Sequence, residues 1–198
     1  TEPAFEHLSC LKLQQGFTKL FTATNLAFRT WEEKKLPPIL KLKDADRERG
    51  LRVFDQLSIP SNEWFVALHV REGDQRISRS NSNAKIETYL KAIRLITDRG
   101  GWVIRMGHPG MTPLPKMERV VDYANSDFKS DWMDVFLWAS CRFMIGTGSG
   151  PAHVPPTFGV PVLQTNWPQI GMNPYFQKSL ILPKLYYSNA DKRFFSYR

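Results

Sequence analysis

The spacing of apolar residues changes character at Trp64. Before it, Leu8, Leu11, Phe17, Leu20, Phe21, Leu26 and Phe28 recur at near-helical intervals, which predicts one or two amphipathic helices within residues 1–35. A charged WEEKK and the turn-like LPP come next. ADRERGLRVFDQL then reads as a helix whose stripe is Leu51, Phe54 and Leu57, with Pro60 just past its end.

From Trp64 onward, strands and helices alternate. WFVALHV (64–70) is continuously apolar, as a strand covered on both faces must be. NAKIETYLKAIRLITDRGG sets Ile86, Tyr89, Leu90, Ile93 and Ile96 on one helical face, and Gly100-Gly101 ends it. WVIRMG, RVVDYA (119–124), RFMIG and VPVLQTN supply the second to fifth strands, and SLILP (179–183) a sixth. Between the third and fourth, SDWMDVFLWAS reads as a helix with Ser130 as N-cap and two aspartates in its first turn. A short helix begins near Pro151.

This order implies right-handed crossovers and an α/β fold, a doubly wound, Rossmann-like parallel sheet over residues 36–198. Residues 1–35 form a helical segment or the remnant of a preceding domain. Ligands of such sheets bind beyond the carboxyl ends of the strands, so the residues just past each strand matter most.

Composition narrows the function. Of 198 residues, 42% are hydrophobic, enough for a sizeable core. No apolar run reaches the ~18 residues of a membrane span, and TEPAFEHLSC lacks the basic-then-apolar order of a secretory leader. Cys10 and Cys141 lack metal-ligand spacing and fit a reduced, cytoplasmic setting. The 27 Lys and Arg against 19 Asp and Glu give a net charge of +8, which favours an anionic partner. The basic residues are dispersed and no zinc-finger spacing occurs, which argues against nucleic acid. The final DKRFFSYR is compatible with docking on a membrane surface or another domain, and equally with a solvated tail.

Polar and glycine-rich residues gather after the strands. The fourth strand ends in GTGSGPAH (146–153). Gly148 and Gly150 permit positive φ, which would turn amide N–H groups toward a ligand, and Pro151 suits the first turn of a helix. Those amides, with the Thr147 and Ser149 hydroxyls, favour an anion such as phosphate or pyrophosphate. A tight packing turn would explain the same glycines. The loop matches neither a Walker loop nor G-x-G-x-x-G.

The first strand ends in HVREGDQR. Arg71 could grip a phosphate bidentately, with Arg76 nearby, while Asp74 or Glu72 could act as a general base or simply hold the arginines. A solvated ion network is the plainer reading. Arg105 interrupts an apolar strand, so its guanidinium needs a carboxylate or a ligand phosphate. Gly107 and His108 lie just beyond it. His153 is placed to meet a phosphate or a sugar hydroxyl, whereas His69, inside its strand, reads as a hydrogen-bonded core residue rather than a catalytic one. TNWP puts Asn166 and Trp167 where they could meet a sugar or base, or merely close the loop. Asp134 fits a ribose hydroxyl or a helix cap equally well.

The segment from Trp64 to Trp167, with LHVREGDQR, GTGSGPAH and FGVPVLQTNWP in that order, resembles a bacterial group of glycosyltransferases from polysaccharide gene clusters. H-V-R-x-G-D is similar to the arginine motif of fucosyltransferases, and GSGPAH with the later FGVP to the S-G-x-x-H and G-x-P donor loop of heptosyltransferases. The resemblance implies the C-terminal, donor-binding half of a GT-B fold. Arg71 and residues 147–153 would then hold the diphosphate of a nucleotide-sugar, Arg76 and Arg105 would add charge, and Asn166 would lie near donor or acceptor. Asp74 would take the proton of a glycan or lipid-linked acceptor. No cofactor beyond the donor is implied, and no D-x-D motif points to a metal. Two departures stand out. Pro155-Pro156 falls where the heptosyltransferase pattern continues as helix, so this helix must be short or kinked. Residues 1–60 are too few for the other half of a GT-B enzyme, so the acceptor-binding half would be missing, shortened or supplied by another chain, in which last case a partner domain would complete the cleft. The enzyme would work in the cytoplasm, with peripheral membrane contact left open. A UDP-sugar epimerase and a non-catalytic module for anionic glycans are the alternatives.

Overall fold

The computed structural model describes residues 10–13, 16–19, 30–73, 82–168 and 178–196. In the first two stretches, β1 (Cys10–Leu13) and β2 (Gly16–Lys19) pair as antiparallel strands, a correction to the helical expectation. Leu11 and Leu13 alternate with Cys10 and Lys12, a period of two that a wider helical count overlooks. The remainder of residues 1–29 lies outside the described residues. Residues 30–33 form one helical turn, and α1 (Asp44–Gln56) comes next, as predicted.

The body of the molecule is a six-stranded, all-parallel sheet. Its strands are β3 (Phe65–His69), β4 (Trp102–Met106), β5 (Val120–Val121), β6 (Phe143–Thr147), β7 (Val162–Trp167) and β8 (Leu180–Pro183), in the spatial order β5-β4-β3-β6-β7-β8. The chain winds outward from β3 to β5, returns to the other side of β3, and winds outward again. This is the Rossmann-like α/β fold that the alternation of apolar runs predicts.

Alternate residues of β3 feed two separate cores. Phe65 and Ala67 pack with Phe54 of α1 and with Met133, Phe136 and Leu137 of α3 (Asp131–Ser140). Val66, Leu68 and Val70 pack with Ile86 and Tyr89 of a 3-10 turn and with Ile93 and Ile96 of α2 (Leu90–Thr97). A strand wedged between helix layers has no solvent face, which is why it lacks polar alternation. Ser130 caps α3 as predicted, its hydroxyl accepting from Met133 N–H at 3.3 Å.

Two elements are shorter than the sequence suggests. The third predicted strand shrinks to Val120–Val121, because Asp122 turns away to make side-chain bonds and Tyr123–Asn125 coil into a 3-10 turn. After β6, Gly150–His153 is a 3-10 turn and α4 (Val154–Thr157) one α-turn, with Pro155 and Pro156 buried. Past β8, β9 (Tyr187–Ser188) and β10 (Arg193–Phe194) form a small antiparallel ribbon.

Candidate functional site at the sheet's switch point

The winding reverses between β3 and β6, so their carboxyl ends open a crevice between diverging loops. Those loops are tied together there. Arg71 N–H donates to Thr147 Oγ1 at 2.9 Å, and Thr147 is fully buried. The Arg71 carbonyl accepts from Ala84 N–H at 2.9 Å, so the peptide groups on both sides of its Cα are held. The half-buried Arg71 side chain has no hydrogen-bond or ion-pair partner among the described residues.

The glycine loop runs from this clasp. Neither Gly148 nor Gly150 adopts positive φ, which corrects the conformational reason inferred from sequence. A methyl on Gly148 would lie 3.1 Å from the Trp167 ring, so glycine there admits the indole. At Gly150 a methyl would meet nothing within 4 Å, so this position faces open space. Ser149 is extended, and its side chain makes no cap bond. The Ser149 carbonyl accepts from Ala152 N–H at 3.0 Å, while the N–H groups of Ser149 and Gly150 have no acceptor among the described residues. The helical run is too short for a large macrodipole, so any pull on an anion comes from these local N–H groups. His153 ends the 3-10 turn, and burial holds its pKa below the usual value, favouring the neutral ring at physiological pH.

Arg105 takes carboxylate partners. Fully buried, it donates from Nη2 to Glu72 Oε1 at 3.2 Å and from Nη1 to Asp122 Oδ1 at 3.0 Å. Glu72 Oε2 accepts from Thr112 N–H at 2.8 Å, and Asp122 Oδ2 from Leu114 N–H at 3.0 Å and Asn125 Nδ2 at 2.9 Å. Of the two kinds of partner the sequence left open for Arg105, carboxylates take both terminal nitrogens while Nε is buried without a partner, and the cluster locks the loops after β3, β4 and β5 to one another. Gly107 lies just past the end of β4. Its φ is 153°, and a side chain there would collide with Met111 Sδ, which accepts from His108 N–H at 3.4 Å. Glycine serves the fold of that loop over Met111. Asp134 is engaged by Tyr123 Oη at 2.8 Å and Lys129 Nζ at 2.6 Å, which makes it part of the framework. Asp74 and Arg76 lie outside the described residues.

At the end of β7, Asn166 takes φ 50°, a left-handed backbone uncommon for a residue with a side chain, at an irregularity in the β7–β8 pairing. Next to it, Thr165 Oγ1 donates to the Gly146 carbonyl at 3.2 Å, which leaves Tyr89 Oη as donor in its 2.6 Å bond to Thr165. Burial raises the Tyr89 pKa against the hydrogen bonds of Thr165 and Asn166. Trp167 is buried with its Nε1 lacking a partner.

A cleft of about 840 Å³ opens on the other side of the β3 loop, lined by Glu72, Gly73, Asn83, Lys85, Glu87 and Thr112 among others. The glycine loop does not line it. Arg71 does not line it either, whereas its neighbours Glu72 and Gly73 do. Among the described residues no group of three or more His, Cys, Asp and Glu converges as a metal site. Among them, too, no helix is long and apolar enough to cross a membrane.

The fold and the loops at its reversal define a Rossmann-like domain. Among solved structures, the E. coli ADP-heptose LPS heptosyltransferase II is similar, with a TM-score of 0.56 at 15% identity over 72% of this chain and 44% of that one. The glycosyl transferase family 9 protein from Veillonella parvula is similar at a TM-score of 0.51 and 14% identity, over 73% of this chain and 41% of that one. The chain thus spans less than half the length of either, and the likeness is one of fold, consistent with part of a GT-B architecture. No protein-family model and no curated protein matches the chain.

Proposed function

We propose that this chain is the donor-binding part of a glycosyltransferase that takes its sugar from a nucleoside diphosphate. The observation that carries this is an arginine without a protein partner among the described residues, clasped through its backbone to a glycine loop in which the N–H groups of Ser149 and Gly150 have no acceptor among the described residues. The similarity of fold to parts of two glycosyltransferases supports it.

In this proposal the diphosphate oxygens accept from the N–H groups of Ser149 and Gly150, the Ser149 hydroxyl and the Arg71 guanidinium. These donors matter most as the bond between sugar and phosphate breaks, when negative charge builds on the departing diphosphate in a site already arranged for it. Arg71 thereby does the work a metal ion does elsewhere. Asp74 takes the proton of the attacking acceptor hydroxyl, Arg76 and His153 flank the donor, and Asn166 faces donor or acceptor. The acceptor, a glycan or a lipid-linked glycan, is met by a second domain beyond the part of the fold described here.

Calorimetric titration with UDP-, GDP-, ADP- and CMP-sugars tests the proposal. One of these should bind, and Arg71→Ala should weaken it on the order of tenfold to a hundredfold, the worth of a charge-assisted hydrogen bond. Binding of none, or binding indifferent to Arg71, removes the donor site.

A further inference from the structure

Beyond β7 the chain carries apolar surface that neither core uses. On the edge strand β8, Leu180 and Leu182 project to the same face and remain 64% and 60% exposed. Leu185, Tyr187, Phe194 and Phe195 are exposed as well. Tyr187 and Phe194 meet edge to face across the β9–β10 ribbon, 5.2 Å between ring centroids, and Phe195 N–H donates to the Tyr186 carbonyl at 2.8 Å. The ribbon is thus a built element that holds large side chains outward, and contiguous surface of that kind marks a place where something docks.

Its position is defined by two anchors. Lys184 N–H donates to the Trp167 carbonyl at 3.0 Å, and Tyr186 Oη to the Pro168 carbonyl at 3.0 Å. The ribbon therefore hangs from the carboxyl end of β7, on the rim that also carries the glycine loop. Its charge is one-sided. Residues 178–196 include Lys178, Lys184, Lys192 and Arg193 but a single carboxylate, Asp191, whose Oδ2 accepts from the Ser188 hydroxyl at 2.9 Å. Aliphatic and aromatic side chains interleaved with cations match an anionic lipid surface: rings settle at the headgroup boundary and cations meet the phosphates. The dry centre of a protein–protein contact is instead depleted of lysine.

We propose that residues 180–195 form a peripheral membrane anchor. Leu185, Tyr187, Phe194 and Phe195 enter the headgroup layer, Lys192 and Arg193 bind lipid phosphates, and the carboxyl rim of the sheet is turned toward the bilayer. This stands apart from the donor site and needs no nucleotide.

The test is cosedimentation of the 198-residue chain with vesicles of phosphatidylcholine alone and of phosphatidylcholine with phosphatidylglycerol, at low and high salt. Binding is expected to the anionic vesicles and to fade with salt. Tyr187→Ser with Phe194→Ser and Phe195→Ser, and separately Lys192→Glu with Arg193→Glu, should each weaken it on the order of tenfold or more. Neither variant should alter nucleotide-sugar titration, and the charge reversal, which keeps the Tyr187–Phe194 pair, should also leave thermal unfolding unchanged. Absence of vesicle binding, or binding that both variants keep, overturns the anchor. Self-association that Phe194→Ser abolishes, without vesicle binding, also overturns it and makes the ribbon a contact between copies. Titration with nucleotide-sugars reports separately on the donor site, so either proposal can fail while the other stands.

Discussion

Arg71 N–H and Thr147 Oγ1 lie 2.9 Å apart across the reversal of the sheet, joining the loop that leaves β3 to the loop that leaves β6. A buried hydroxyl at the last position of a strand thereby fixes where the arginine side chain begins, before any ligand arrives. Thr147→Val keeps the shape but leaves the Arg71 N–H without its acceptor, which should cost about 1–3 kcal/mol. Donor binding should weaken as well, and Arg71→Ala added to Thr147→Val should weaken it less than it does alone. Thr147→Ser should restore both. Denaturant melts and calorimetry of the four variants check this.

Among the described residues, Arg105 is the one cation paired with two carboxylates that follow the strands on either side of it. Arg105→Met removes that cation and leaves Glu72 and Asp122 facing apolar volume, a loss of about 3–5 kcal/mol. For a chain of this size that is roughly a 10 °C fall in Tm. Adding Glu72→Gln and Asp122→Asn should recover part of the loss, since the neutral amides lack the charge that the arginine balanced. Additive losses would mean that the three side chains do not act as one cluster.

The strands are legible in the sequence because a parallel strand between two helix layers must be apolar throughout, and WFVALHV is. The partner of Arg105 is not. Its isolation in an apolar strand announces that a counter-charge is needed, but Glu72 and Asp122 lie past the ends of β3 and β5, and their convergence depends on the order of strands across the sheet. The edge strand β5 looks longer in the sequence than it is, because Val120, Val121 and Tyr123 are all apolar, whereas Tyr123 is buried from a 3-10 turn. The glycines mark a loop correctly but do not disclose its cause. A glycine required by left-handed backbone and one required by a neighbouring ring look alike in a sequence.

Gly148 and Gly150 separate packing from ligand approach. Gly148→Ala brings a methyl to 3.1 Å from the Trp167 ring and should destabilise by about 1–2 kcal/mol as the indole yields. Gly150→Ala meets no atom within 4 Å and should unfold like the wild type. In the proposed site, however, its methyl stands where the diphosphate approaches the loop, so nucleotide-sugar affinity should fall. Thermal melts and titration of the same two variants give opposite rankings if this is right.

Removal of metal ions gives a different readout. With Arg71 balancing the leaving diphosphate, sugar transfer should survive prolonged chelation and fall with Arg71→Lys, whose single ammonium cannot reproduce a planar fork. Activity lost on chelation and regained with a divalent cation would reverse that assignment.

His69 closes β3 with its ring edge-on to Trp138, 6.2 Å between centroids, and its Nδ1 is buried without a hydrogen-bond partner. Burial, and after it the nearby Arg105 charge, hold its pKa down to about 4 from an ordinary 6.5. The folded protein therefore keeps this ring neutral at a pH where the unfolded chain already takes up a proton. Between those two values the unfolded state binds more protons, so stability must fall as pH drops. The contribution is fully present above pH 6.5 and shrinks toward pH 4 by up to ~3 kcal/mol. His69→Phe preserves an aromatic ring against Trp138 and cannot titrate. Denaturant unfolding of both proteins across this range should give a stability difference that changes steadily in favour of the phenylalanine variant as acid is added. A difference independent of pH would mean that the folded protein accepts the proton as readily as the unfolded chain, and that His69 lies in a wetter place than the end of β3.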